Sequence, residues 1–142
     1  MEKEELIAFE DWVVQTFNDG KLRSPVHLSG SIDGNLEDYL IELIKNIKPT
    51  DWVFSTYRSH YHALLKGIPE EWLKQWILDN KSIHVMNQEH KFFTTAIVAG
   101  CLPIALGVAM AIKRRYPEEV IEEETGLVKN HLNNLIRPHV WV

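Results

Sequence analysis

The chain has 142 residues, enough for one domain, with 45% hydrophobic and 25% charged residues and a formal charge of -5. A domain of this size hides roughly 70% of its unfolded surface, and the acidic balance argues against non-specific nucleic-acid binding, which needs a basic footprint. A single cysteine, Cys101, excludes an internal disulfide and suits a reducing compartment, so a cytoplasmic location is expected.

Taken in chain order, "MEKEELIAFE" is acidic and amphipathic, unlike a signal or transit peptide. Leu6, Phe9, Val13 and Phe17 form a helical stripe over residues 4–18, stopped by Gly20. Residues 21–35, rich in Gly, Ser, Pro and Asn, read as an irregular loop. A second helix is predicted from Leu36 to Ile47, its apolar face made by Leu36, Leu40, Leu43 and Ile47, with Pro49 closing it.

"DWVFST" then reads as a strand, followed by a short helix bearing Leu64 and Leu65 that ends at Gly67. Pro69 starts another helix whose first turn carries Glu70 and Glu71, where acids suit the positive helix end. Trp72, Leu73, Trp76 and Ile77 make its buried edge, and residues 81–95 read as polar loop. Ala96 to Ile112 is a run of seventeen uncharged residues, short for a spanning helix and interrupted by Pro103, Gly100 and Gly107. It reads as a loop leading into a buried helix from Pro103 to Arg115, so no membrane is expected. Residues 116–137 read as an acidic, mostly solvated helical insertion, and 138–142 as the start of a core strand. Helices alternating with separate strands indicate an α/β layered fold.

Few motifs carry chemistry. His60 and His62 form a metal half-site at most, because no Cys, Asp or Glu stands at a ligand spacing, and no metal site is expected within the chain. There is no GxSxG elbow, Walker loop or GxGxxG. Cys101 lies in an apolar run without a nearby base and reads as a structural thiol. Ala105, Gly107, Ala109 and Ala111 allow close helix approach, in a core or at an oligomer seam alike. Tyr57 and Arg58 follow the strand directly. They make either a surface ion pair or an anion site, since a guanidinium fork fits phosphate oxygens and ligands sit beyond the carboxyl ends of strands.

Three stretches in order, "GKLRSPVHLS", "NIKPTDWVFSTYRSHYHALLKGIP" and "IHVMNQEHKFFTTAIVAGCLPIALGVAMAIKRR", resemble the alpha chain of thiamine-diphosphate-dependent 2-oxo acid dehydrogenases, the decarboxylating component of pyruvate, branched-chain and acetoin dehydrogenase complexes. The resemblance covers about residues 6–115 and the final strand. It implies the N-terminal part of a thiamine-diphosphate-binding parallel-sheet fold, helix-rich, with the sheet incomplete in this chain. By matching position, it implies that Tyr57 and Arg58 grip the cofactor diphosphate. Ala96-Ile97-Val98 match the turn whose backbone, at Ala96 and Val98, receives the aminopyrimidine ring. His27 matches an active-site histidine, His60 a histidine beside the same site, and His84 a loop histidine without an assigned role. His27 and His60 are thus the expected catalytic positions.

Departures accompany the match. Cys101 stands where the family commonly has glutamine and Ala96 where glycine is frequent, and the 116–137 stretch replaces a short connection. The Gly-Asp-Gly…Asn segment that binds magnesium in the family would follow "HVWV", so the magnesium ligands are expected outside this chain. A truncated or split subunit is implied, with a separate chain supplying that segment in the split case. The glutamate that activates the cofactor belongs to the family's beta chain, so this chain alone is not expected to catalyse. Implied partners are that beta chain, in a heterotetramer, and a lipoyl-bearing acyltransferase. The alternative is a non-catalytic α/β interaction module derived from the same scaffold.

Overall fold

The computed structural model describes residues 1–30, 35–115, 120–121, 128–129 and 138–142. Helix α1 spans Lys3–Asn18, and the Glu5 carboxylate accepts the Glu2 N–H at 2.6 Å to close its first turn. It ends in a Schellman motif: Gly20, at φ 72°, donates to the Phe17 carbonyl and Lys21 donates to Thr16. The same 5→2 and 6→1 pair of bonds ends α3 (His60–Leu65) at Gly67 and α4 (Glu70–Leu78) at Asn80. Three sharp exits therefore come from three local signals. Leu6, Phe9 and Val13 are buried as the stripe predicts, but Phe17 is half exposed. The returning chain covers Thr16 instead, whose hydroxyl donates to the Trp12 carbonyl.

Helix α2 (Leu36–Ile44) is shorter than predicted. Two tight turns, Asn46 to Leu43 and Ile47 to Ile44, unwind it before Pro49. Leu43 consequently faces outward, while Ile47 still packs against the core.

Strand β1 (Trp52–Ser55) is central in a four-stranded sheet of order β2-β3-β1-β6, with β2 at Met86–Asn87, β3 at Phe92–Thr94 and β6 at Val140–Trp141. Both β3 and β6 run parallel to β1, and β2 pairs antiparallel with β3. The two strands inside 81–95 correct the loop expected there. At two and three residues they are too short to display alternation, although Phe92 and Thr94 are buried.

Alternation sorts the two faces. Val53, Phe92 and Trp141 join Leu6, Phe9, Tyr61, Leu64, Leu73 and Ile77 in the main core beneath α1 to α4. On the opposite face, Phe54 packs with Trp52, Phe93 and Val140 against α5 (Cys101–Arg115). This helix begins two residues before Pro103, which sits in the first turn where its missing N–H costs nothing. It is not the buried helix expected. Cys101 and Ala105 touch the sheet, whereas Leu102, Ile104, Leu106 and Met110 are largely exposed.

The alternating elements make an α/β fold, helix-rich, around a small parallel-dominated sheet. Most of the 116–137 stretch lies outside the described residues. At four positions within it, β4 (Val120–Ile121) and β5 (Val128–Lys129) pair antiparallel, so the backbone there is extended rather than helical.

Candidate functional site

Neighbouring strands β1 and β3 are parallel, with Ser55 level with Thr94. Yet the chain leaves them in opposite directions. After β1 it crosses through α3 and α4 on the main-core side, and after β3 it crosses through α5 on the other. Connections that diverge from adjacent parallel strands open a crevice at their carboxyl ends, where ligands of open α/β sheets bind. Tyr57 and Arg58 follow the end of β1 at that crevice, and Ala96-Ile97-Val98 follow the end of β3.

On the β1 side the structure brings three predicted residues together. The His27 and Tyr57 rings lie 4.6 Å apart between centroids, and the Arg58 guanidinium stands 6.0 Å from the Tyr57 ring. Arg58 donates one Nη1–H to the Leu28 carbonyl at 3.1 Å. Its side chain is otherwise exposed, so the fork retains further donors for a ligand. On the β3 side, the turn lifts its backbone outward. The Ile97 N–H donates to Thr95 Oγ1, the Gly100 N–H donates to the Ile97 carbonyl, and Ala99 adopts φ 59°. A Cβ at Gly100 would stand 2.9 Å from the Ile97 Cβ, so the turn needs glycine there. Ile97 and Val98 are 71% and 76% exposed and Ala96 is half-buried, so this segment also faces outward at the strand ends.

His60 is different. It is fully buried, its Nδ1 3.3 Å from Glu10 Oε1 and its Nε2 3.0 Å from Ser82 Oγ, away from the exposed cluster. Glu10 in turn accepts the N–H of Ser29 at 2.6 Å and that of Gly30 at 2.9 Å. Burial would raise the Glu10 pKa, but the His60 bond and the two amides outweigh it and hold the carboxyl below its ordinary range. Tyr61, desolvated and hydrogen-bonded to Glu10 and Glu37, has its phenol pushed well upward.

Glu10 is the residue that sequence reading passed over, because an acid beside Phe9 looks like solvated surface. The available signal was its register. Leu6, Glu10 and Val13 share the inward stripe.

The paired histidines diverge as well. His62 lines an apolar cavity of about 210 Å³ with Leu40, Ile44, Phe54, Cys101 and Trp141. Its buried Nδ1 has no partner, and burial lowers its pKa. Among the described residues, no three His, Cys, Asp or Glu side chains converge as a metal site, and no helix is long and apolar enough to cross a membrane. His84 is exposed, and its carbonyl accepts the Trp76 indole N–H.

Residues 10–126 match the family model for the dehydrogenase E1 component. The chain is 30% identical over 125 residues to the pyruvate dehydrogenase E1 component subunit alpha of Porphyra purpurea, covering 81% of this chain and 35% of the relative. It is 29% identical over 127 residues to the chloroplastic subunit alpha-3 of Oryza sativa subsp. japonica, and 28% identical over 127 residues to that of Arabidopsis thaliana. Each of these two matches spans 82% of this chain and 28% of the relative. The chain thus spans about a third of the length of the curated relatives it matches. With the family model matching most of its residues, the chain belongs to the dehydrogenase E1 component family.

Proposed function

We propose that this chain is the N-terminal, diphosphate-gripping portion of a thiamine-diphosphate-dependent 2-oxo acid dehydrogenase alpha subunit. One observation carries the reading: Tyr57-Arg58 and Ala96–Val98 follow adjacent parallel strands whose connections diverge to opposite faces. The residues fit the group. Arg58 spends one donor on Leu28 and keeps others for phosphate oxygens, and Tyr57 adds a hydroxyl beside it. The outward-facing turn at Ala96 and Val98 suits the edge of a flat heterocycle, and His27, its ring tilted against Tyr57, borders the same opening.

When bound, thiamine diphosphate supplies the nucleophilic carbon and the electron sink that decarboxylation of a 2-oxo acid requires. The chain's own contribution is to bind and orient. Arg58 neutralises phosphate charge, the 95–100 turn positions the ring, and β1 and β3 hold the two half-sites level. Magnesium would need ligands from outside the described residues, and the acyl group would pass to a lipoyl-bearing acyltransferase. The exposed apolar side of α5 suits a partner such as the beta chain. It equally favours a second reading, in which the scaffold serves as a non-catalytic interaction module.

Titrating ¹⁵N-labelled chain with inorganic pyrophosphate tests the proposal. The expected result is weak binding with resonance shifts confined to Tyr57, Arg58 and the amides of 96–100. Shifts elsewhere, or none at millimolar pyrophosphate, would overturn it.

A further inference from the structure

Among the described residues, His27 meets the strand-end cluster through its ring contact with Tyr57. Its place follows from what grips the next three residues. The Leu28 carbonyl accepts from Arg58, and the Ser29 and Gly30 N–H groups donate to opposite oxygens of Glu10. The fit at Gly30 is close, since a Cβ there would stand 3.3 Å from Glu10 Oε2 and 3.5 Å from the Tyr61 hydroxyl. Four groups surround the carboxylate in all: His60 and Tyr61 approach from α3 and the two amides from the loop, while Glu37 of α2 meets Tyr61 from the other side. Ser82 Oγ fixes the far nitrogen of His60. A carboxylate with one amide on each oxygen sets both the position and the tilt of a main-chain segment.

We propose that Glu10 is a positioning residue for the strand-end site: by holding the main chain of Ser29 and Gly30 it keeps His27 against Tyr57 at the mouth of the β1–β3 crevice. This rests on reading that crevice as the diphosphate site. A glutamine at position 10 keeps the shape but turns one acceptor into a donor, which then faces an amide N–H. Protonation of Glu10 has a similar effect. Because the carboxyl is held below its ordinary range, the loop stays docked above that range and is released as pH falls through the lowered value.

The test is NMR on the chain as it stands. In wild type, a nuclear Overhauser contact between the His27 and Tyr57 rings and protection of the Ser29 and Gly30 amides are expected. In Glu10→Gln the ring contact is expected to vanish and exchange at both amides to rise roughly tenfold or more. The Val53 amide, bonded to the Lys91 carbonyl in the sheet, should stay protected. An intact ring contact with protected amides in the folded variant overturns the proposal. Should the variant not fold, a wild-type pH titration decides. Loss of the ring contact at the Glu10 carboxyl midpoint, with Val53 still protected, supports positioning, and a contact that survives Glu10 protonation refutes it. Absence of pyrophosphate shifts in wild type would instead strike the diphosphate reading, so the two failures are told apart.

Discussion

The Asp51 carboxylate accepts the indole N–H of Trp141 at 3.1 Å, across 90 residues of sequence. The same group accepts the His139 N–H at 2.8 Å and the Lys48 N–H at 3.1 Å, and it is fully buried. One side chain therefore ties the start of β1 to its parallel neighbour β6.

Replacing that carboxylate should release β6 before the rest of the fold. Asp51→Ala loses charge-assisted bonds worth about 1.5–3 kcal/mol each before relaxation. Hydrogen exchange should show Trp52 and Trp141 amides losing protection, while Leu6, Phe9 and Val13 on α1 keep theirs. Uniform loss along the chain would instead make Asp51 a general core residue.

The same site has a pH signature. Burial alone would raise the Asp51 pKa, but the His139 amide, the Trp141 indole and the Lys48 amide outweigh it and hold the carboxyl below its ordinary value. A depressed carboxylate contributes stability that is present above its unfolded pKa and lost as pH falls through the folded one. Urea midpoints should therefore decline at acid pH, and the decline should shrink in Asp51→Asn. Parallel acid profiles for the two proteins would refute this origin.

At the crevice, Arg58→Ala should weaken pyrophosphate binding by about 1.5–3 kcal/mol, the cost of a lost charged hydrogen bond. Arg58→Lys should recover only part of it, because a point charge lacks the planar fork. Equal affinity in all three proteins, measured by resonance shifts, would leave Tyr57-Arg58 as ordinary surface.

Thiamine diphosphate should not bind this chain with micromolar affinity, even with magnesium added. In the proposed reading Arg58 meets the phosphates, but among the described residues no metal-ligand set gathers beside it, which would leave much charge uncompensated. Calorimetry checks this directly, and a micromolar isotherm would contradict it.

The exposed flank of α5 predicts association. Leu102, Leu106 and Met110, spaced by four residues, line one exposed apolar face of the kind that marks interaction sites. Light scattering should give a mass above one chain. Leu106→Glu, which forfeits about 1.5–3 kcal/mol of apolar burial, should shift it downward. A discrete wild-type monomer with strongly protected amides in 103–115 would count against it.

Much of this was legible beforehand, for local reasons. Gly20, Gly67 and Pro69 mark helix ends through backbone geometry alone, so α1, α3 and α4 could be placed closely. Tyr57-Arg58 stood out because cationic and phenolic groups directly follow a strand. What stayed hidden depends on partners distant in sequence. Strands β2 and β3 exist through pairing rather than pattern, and Glu10 is inward only because Ser29, Gly30 and His60 meet it. The hydrophobicity of α5 was read correctly, but a run of small and apolar residues does not show which flank meets the sheet and which stays exposed.

The position of β6 also constrains how the chain is made. Trp52 pairs with Val140 and Val53 with Trp141, so one side of the central strand lacks this neighbour until residues 140 and 141 leave the ribosome. The nascent protein can assemble α1 to α4 and the β1–β3 pair early, but it carries an open, apolar strand edge until β6 is made. Slow synthesis through the 116–137 stretch would prolong that exposure, which makes the interval before Val140 emerges the time when this chain most needs a chaperone.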